Sequence, residues 1–152
     1  MFEKEMRNLT YGLFVLSAAA DGKSSGCIIN TAMQVTDTPL KMAICVNKNS
    51  FTGQLIRKSR RFVVSVLDEK ADFDIFRHFG FQSGKDVDKF ADWKEKAETP
   101  DGVPYQTRGA NAWIECEVDE EIDLGTHLMY IGFVTNAGIL SDVPSASYTY
   151  YH

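Results

Sequence analysis

The segment Asn49-Ser50-Phe51-Thr52 places an amide and two hydroxyls just ahead of an apolar stripe formed by Phe51, Leu55 and Ile56. Ser50 is a favourable N-cap, and the first turn of any helix leaves backbone N–H groups without intrahelical partners. Those groups, with the positive end of the helix dipole, favour an anion beside the Ser50 and Thr52 hydroxyls. Plain capping explains the same residues, so both readings stand. A second cluster runs Asn30-Thr31-Ala32-Met33-Gln34-Val35-Thr36. Its amides and hydroxyls can donate and accept, and its thioether adds contact area, as a polar aromatic ligand requires. A strand with one wetted face would look the same. The basic run Arg57-Lys58-Ser59-Arg60-Arg61 fits a solvated helix terminus or a phosphate contact. His127, after Gly125-Thr126, is either a buried structural histidine or a catalytic one. Classical signatures of other chemistry are missing: Gly-x-Gly-x-x-Gly, the Walker loop, His-Glu-x-x-His and Gly-x-Ser-x-Gly. His78, His127 and His152 lack metal-ligand spacing, and no Cys-x-x-Cys occurs.

Strands and short helices must position these groups. Thr10–Ala20 and Ser24–Thr36 are strand-like, and Asp21-Gly22 between them signals a hairpin. Leu40–Val46 is apolar on both faces, as in a wall covered on both sides. A helix is expected from Phe51, ending in the basic run, followed by a strand over Arg61–Asp68. Asp72–Phe79 reads as a second short helix ended by Gly80. Phe81–Thr107 is polar, with one helical turn expected inside Asp86–Lys94, and long connections of this kind are often functional. Trp113–Asp119 alternates Ile114, Cys116 and Val118 against Glu115, Glu117 and Asp119, a half-solvated strand. His127–Leu140 can pair with it. The result is about six strands with two inserted helices, a mainly-β barrel or sandwich.

The 152 residues suffice for one domain, expected over 1–152, with a core that needs no staples. A formal charge of −5 disfavours general nucleic-acid binding, including an oligonucleotide-binding barrel that stacks bases on aromatics. Cys27, Cys45 and Cys116 are odd in number and set among apolar neighbours, which suggests reduced thiols and a cytoplasmic location. The apolar run Leu13–Ala20 is too short to span a bilayer, and no membrane partner is expected. Ten Phe, six Tyr and two Trp supply a core, an interface or a platform for a flat ligand. Phe14, Phe62 and Phe133 are expected in the core, Tyr148, Tyr150 and Tyr151 in a packing tail, and Phe51, Phe79, Phe81 and Trp113 as the neighbours of a flat ring.

Four stretches together resemble the flavin reductase-like family, the FMN-binding split β-barrel proteins. They are Asn30–Pro39, Asn47-Lys48-Asn49-Ser50-Phe51-Thr52, Phe79–Phe90 and Leu124-Gly125-Thr126-His127. The third is similar to the branch of flavoredoxins and of the flavin half of high-molecular-weight rubredoxins. Thr126 stands where the family has an acid, which changes the hydrogen bonding at His127. No Cys-x-x-Cys follows the aromatic C-terminal segment, in keeping with a stand-alone reductase or a flavin half separated from a rubredoxin.

The resemblance implies a Greek-key split barrel, one FMN per subunit and a homodimer with flavins near its interface. Asn30, Thr31, Met33 and Gln34 would contact the isoalloxazine and ribityl parts. Asn47, Lys48, Ser50 and Thr52 would hold ribityl and phosphate, with Phe51 beside the ring. Ser83, Gly84 and Lys89 would close the site, and His127 would face the nicotinamide or flavin edge. The implied activity is NAD(P)H-dependent flavin reduction, with NADH or NADPH as donor and a flavin, rubredoxin or other redox protein as acceptor. The alternative is a flavoredoxin-like carrier working between protein partners.

Overall fold

The computed structural model describes residues 1–148. The elements are α1 (Glu3–Met6), β1 (Phe14–Ala20), β2 (Lys23–Ile29), β3 (Ala32–Thr36), β4 (Lys41–Asn47), α2 (Phe51–Ser59), β5 (Arg61–Leu67), α3 (Phe73–Gly80), β6 (Lys96–Glu98), β7 (Pro104–Gln106), β8 (Ala110–Asp123) and β9 (His127–Ile139). The fold is mainly β. Seven strands form one antiparallel sheet in the order β2-β1-β5-β8-β9-β4-β3, and β6 pairs with β7 separately. The two edge strands of the large sheet, β2 and β3, follow one another in the chain with only Asn30-Thr31 between them. The sheet must therefore curl until its edges meet, and it stays split at that seam. The Cys45 N–H donates to the Thr31 carbonyl at 3.2 Å, which ties the seam to β4.

Strands β1, β4 and β5 are buried on both faces, which explains their unbroken apolar runs. Leu16 and Ala18 of β1 join Ile44, Val46, Phe62, Val64, Cys116 and Tyr130 inside the barrel. Val15 faces the other way, onto Leu67, Ile75, Phe79 and Phe90 under α3 and the following loop. Helix α2 plugs one barrel end through Leu55 and Ile56. The Asp21-Gly22 turn is the expected two-residue hairpin, with φ of 54° and 76° and Ala20 opposite Lys23.

Several expectations change. The run Ser24–Thr36 is two strands, because the chain turns at Asn30-Thr31 as the sheet closes. The loop 81–107 contains the β6–β7 hairpin. Thr99-Pro100-Asp101-Gly102 makes its turn, with φ of 83° at Gly102, a sequence signal of the Pro-Asp-Gly kind. Asp86–Lys94 forms isolated turns and no helix. Gly80 is the last residue of α3, and the cap falls on Phe81 with φ of −108°. Phe133 is exposed, because the outer half of β9 carries no covering element, while Phe14 is half-buried and packs against the barrel core. Glu115 is fully buried at 0 % exposure. The β6–β7 hairpin covers it, and its carboxylate accepts from Thr99 Oγ1 at 2.7 Å and Asn136 Nδ2 at 2.8 Å. Tyr148 packs on the outer core cluster, while Tyr150 and Tyr151 lie outside the described residues.

Candidate functional site

Helix α2 begins where β4 ends, at the mouth of the barrel. Asn47 shapes the turn: its Oδ1 accepts from the Asn49 N–H at 2.9 Å and its carbonyl from the Ser50 N–H at 3.0 Å. Ser50 caps as its type predicts, with Oγ accepting from the Gly53 N–H at 3.4 Å. Among the described residues the N–H groups of Phe51 and Thr52 have no partner, as the first turn of a helix dictates.

Strand β2 runs alongside, and its alternation of two sends Ser25 and Cys27 towards α2. Thr52 Oγ1 donates to Ser25 Oγ at 3.1 Å, and Ser50 Oγ donates to Cys27 Sγ at 3.7 Å. Burial pushes the Cys27 thiol up, while the Ser50 and Thr52 hydroxyls and the Lys89 charge pull it down.

The loop after α3 forms the opposite wall. Lys89 is buried, and its ammonium donates to the Gly26 carbonyl at 2.7 Å and the Phe79 carbonyl at 2.9 Å. Burial lowers its pKa. The Phe79 carbonyl lies at the negative end of α3, which suits a cation. Gly84 packs so tightly that an added Cβ would fall 2.3 Å from Ser25 Oγ and 2.7 Å from the Phe51 ring. Only glycine lets the loop approach this closely.

Two cavities meet here. One of about 430 Å³ is lined by Asn47, Ser50, Phe51, Thr52, Ser83, Gly84 and Lys89, among others. The second, of about 320 Å³, is lined by Asn30, Thr31, Asn47, Ser50 and His127. Cys27, Ile28, Asn47 and Ser50 line both, so the cavities form one elongated cleft. It is rich in unpaired backbone donors and hydroxyls at the α2 end. At the other it is bounded by Ile29, Cys45 and Val46.

Three of the residues singled out in the sequence line neither cavity. Met33 is 51 % exposed on the edge strand β3, and Gln34 is exposed beside it. Lys48 pairs with Asp123 at 2.6 Å and holds its carboxyl below the usual range. His127 is exposed at the cleft rim, not buried: it opens β9 opposite Asn47, and its Nδ1 lies 2.8 Å from Thr126 Oγ1. The basic run takes the solvated-terminus reading. Arg57 grips Glu121 with bonds of 3.1 and 2.8 Å, and Arg61 sits 3.3 Å from Asp101. Phe79 and Phe81, expected beside a flat ring, do line the cleft, whereas Trp113 stacks on Tyr105 away from it; Cys27, Ile28 and Gln82 line it without having been anticipated. For Cys27 the signal was its two-residue spacing from Ser25. Among the described residues no cluster of metal-ligating side chains occurs, and no helix is long and apolar enough to cross a membrane.

Comparison with known proteins gives a consistent result. The flavin reductase like domain matches residues 6–152. A high molecular weight rubredoxin from Moorella thermoacetica is 35% identical over 152 residues, all of this chain but 66% of that protein, so the chain spans just under two thirds of this relative. A ferric-chelate reductase (NAD(P)H) from Archaeoglobus fulgidus is 35% identical over 144 residues, 95% of this chain and 85% of that one. In fold, the NADH:FAD oxidoreductase SgcE6 of Streptomyces globisporus C-1027 superposes with a TM-score of 0.83 at 23% identity, over 95% of this chain and 84% of that one. A glycine-tight, donor-rich cleft at the mouth of a split, curled sheet thus coincides with a family match over nearly the whole chain, and the chain belongs to the flavin reductase-like family.

Proposed function

We propose that residues 1–152 act as one FMN-binding unit that reduces its flavin with NADH or NADPH and passes electrons to a flavin or to a protein such as rubredoxin. The observation that carries this reading is the donor set at the α2 end of the cleft. The free N–H groups of Phe51 and Thr52, the Ser50 and Thr52 hydroxyls and the nearby Lys89 ammonium suit a terminal phosphate. Asn47 and Ser50 stand where a ribityl chain would pass between the two cavities. Asn30 and Thr31 offer amide and hydroxyl groups to the polar edge of a ring in the second cavity. Bound flavin supplies the hydride chemistry, so no side-chain nucleophile is required. His127, held at Nδ1 by Thr126, would contact the nicotinamide or the flavin edge from the rim. Lys48, tied to Asp123, would add positive potential outside the phosphate end.

Met33 and Gln34 stand on the exposed edge strand, and this reading gives them a role only if a second subunit brings the ring edge to them. The protein is accordingly proposed to be a homodimer working in the cytoplasm. The −5 charge favours docking on a basic redox partner, and that observation supports the second reading, a flavoredoxin-like carrier. Steady-state oxidation of NADH and NADPH by the purified protein separates the two. Turnover well above that of free FMN is expected for the reductase, and its absence from a protein that keeps its flavin selects the carrier.

A further inference from the structure

A third cavity, of about 390 Å³, opens beside the cleft and is lined by Leu13, Ile28, Phe73, Phe76, Phe81 and Tyr148 together with Gly80. No charged side chain lines it, and its one side-chain polar group is the Tyr148 hydroxyl. Phe73 and Phe81 are 64 % and 69 % exposed, and their rings meet edge to face with centroids 5.8 Å apart. Phe73 is the first residue of α3, whose start is secured by Asp72: its Oδ1 accepts from the Ile75 N–H at 3.4 Å. The phenyl group of Phe73 therefore does nothing for the helix. Two phenyl rings left in water over an apolar hollow mark a binding site.

The hollow has the size of a small-molecule pocket and is far too small to seat a protein partner. A charged ligand would lose its hydration there without an ionic partner, so the occupant is neutral. The aromatic walls favour a flat ring. Ile28 lines this cavity and both halves of the cleft; Gly80 and Phe81 are shared with the first half, Leu13 and Tyr148 with the second. A ring held here would abut the proposed flavin.

We propose that this pocket binds a neutral electron acceptor of the quinone class, an inference that rests on the flavin reading. Reduction of the quinone takes up two electrons and two protons, converting both C=O groups to C–OH. Reduced flavin is the donor of both and is left oxidised, and the product departs as a hydroquinone.

The test is equilibrium dialysis of menadione against the purified, oxidised, flavin-loaded protein and its Phe73→Gln variant. Phe73 lines neither half of the cleft and is exposed, so the variant should fold and keep its flavin. Saturable menadione binding, weakened about ten-fold by the substitution with flavin retention unchanged, is the expected result. No saturable binding, or equal affinity in both proteins, overturns the proposal. So does a dimer that becomes monomeric with Phe73→Gln in sedimentation, because the face would then belong to a second copy of the chain. If menadione binds in a Phe73-dependent way to a protein that retains no flavin, the pocket stands and the flavin reading falls.

Discussion

At the scale of single residues, the site depends on hydroxyls and on one missing side chain. Replacing Ser50 and Thr52 together by Ala should weaken FMN much more than riboflavin. Two bonds to a charged phosphate are each worth about 1.5–3 kcal/mol, whereas a lost cap costs about 1 kcal/mol and acts on both ligands alike. Comparing the two dissociation constants measures the difference, and equal losses would leave the hydroxyls as caps only. Gly84→Ala should cost flavin affinity with little change in global stability, because the added carbon must displace either the exposed loop or the Ser25 hydroxyl. Fluorescence titration of the flavin reads the first effect and urea unfolding the second. The Ser50 cap was legible in the sequence because capping is local chemistry. Cys27 was not, since β2 meets α2 only through the curl of the sheet. His127 was open to two readings because an exposed rim position and a buried strand start have the same local sequence.

At the scale of elements, α3 and the loop that follows it form one wall of the cleft. Lys89 secures that wall to β2 and to the end of α3. Lys89→Met should destabilise the protein by roughly 1–3 kcal/mol, by stranding the Gly26 and Phe79 carbonyls, and should weaken flavin binding as well. Chemical denaturation with and without FMN checks both. At the other end of α3, Arg108 beside Asp72 holds that carboxyl below the usual carboxylate range. The unfolded chain takes up the proton first as pH falls. This contribution is therefore intact above about pH 4 and is lost as pH drops through the lowered folded-state value. Melting curves should show a smaller acid loss for Asp72→Asn than for the parent, and a parallel loss would remove Asp72 from the account. The hairpin β6–β7 explains why Glu115 escaped the alternation in the sequence. A strand pattern reports the two faces of its own sheet, but not a later hairpin that covers the polar one. The Pro100-Asp101-Gly102 turn carries a local signal, but the reading of 81–107 as one polar connection passed over it.

At the scale of the whole molecule, the apolar pattern gave the strand-rich class, the first hairpin and both helices in the core. It did not give the closure at Asn30-Thr31, because a curl that joins β2 to β3 is set by the packing of all seven strands. The closed sheet leaves Met33, Val35 and Leu40 exposed around the β3 edge, with Phe133 and Ile139 exposed on β9. These fit the proposed subunit interface. Val35→Glu with Leu40→Glu should give a monomer in sedimentation velocity, with weakened flavin retention; an unchanged mass would place the interface elsewhere. The central claim is that this cleft holds a flavin reducible by pyridine nucleotide. Its most direct test is an anaerobic titration of the flavin-loaded protein with NADH, followed through the visible flavin absorption. Bleaching of the band at about one equivalent is the predicted result. A band that survives excess NADH and NADPH, yet bleaches with dithionite, would contradict it.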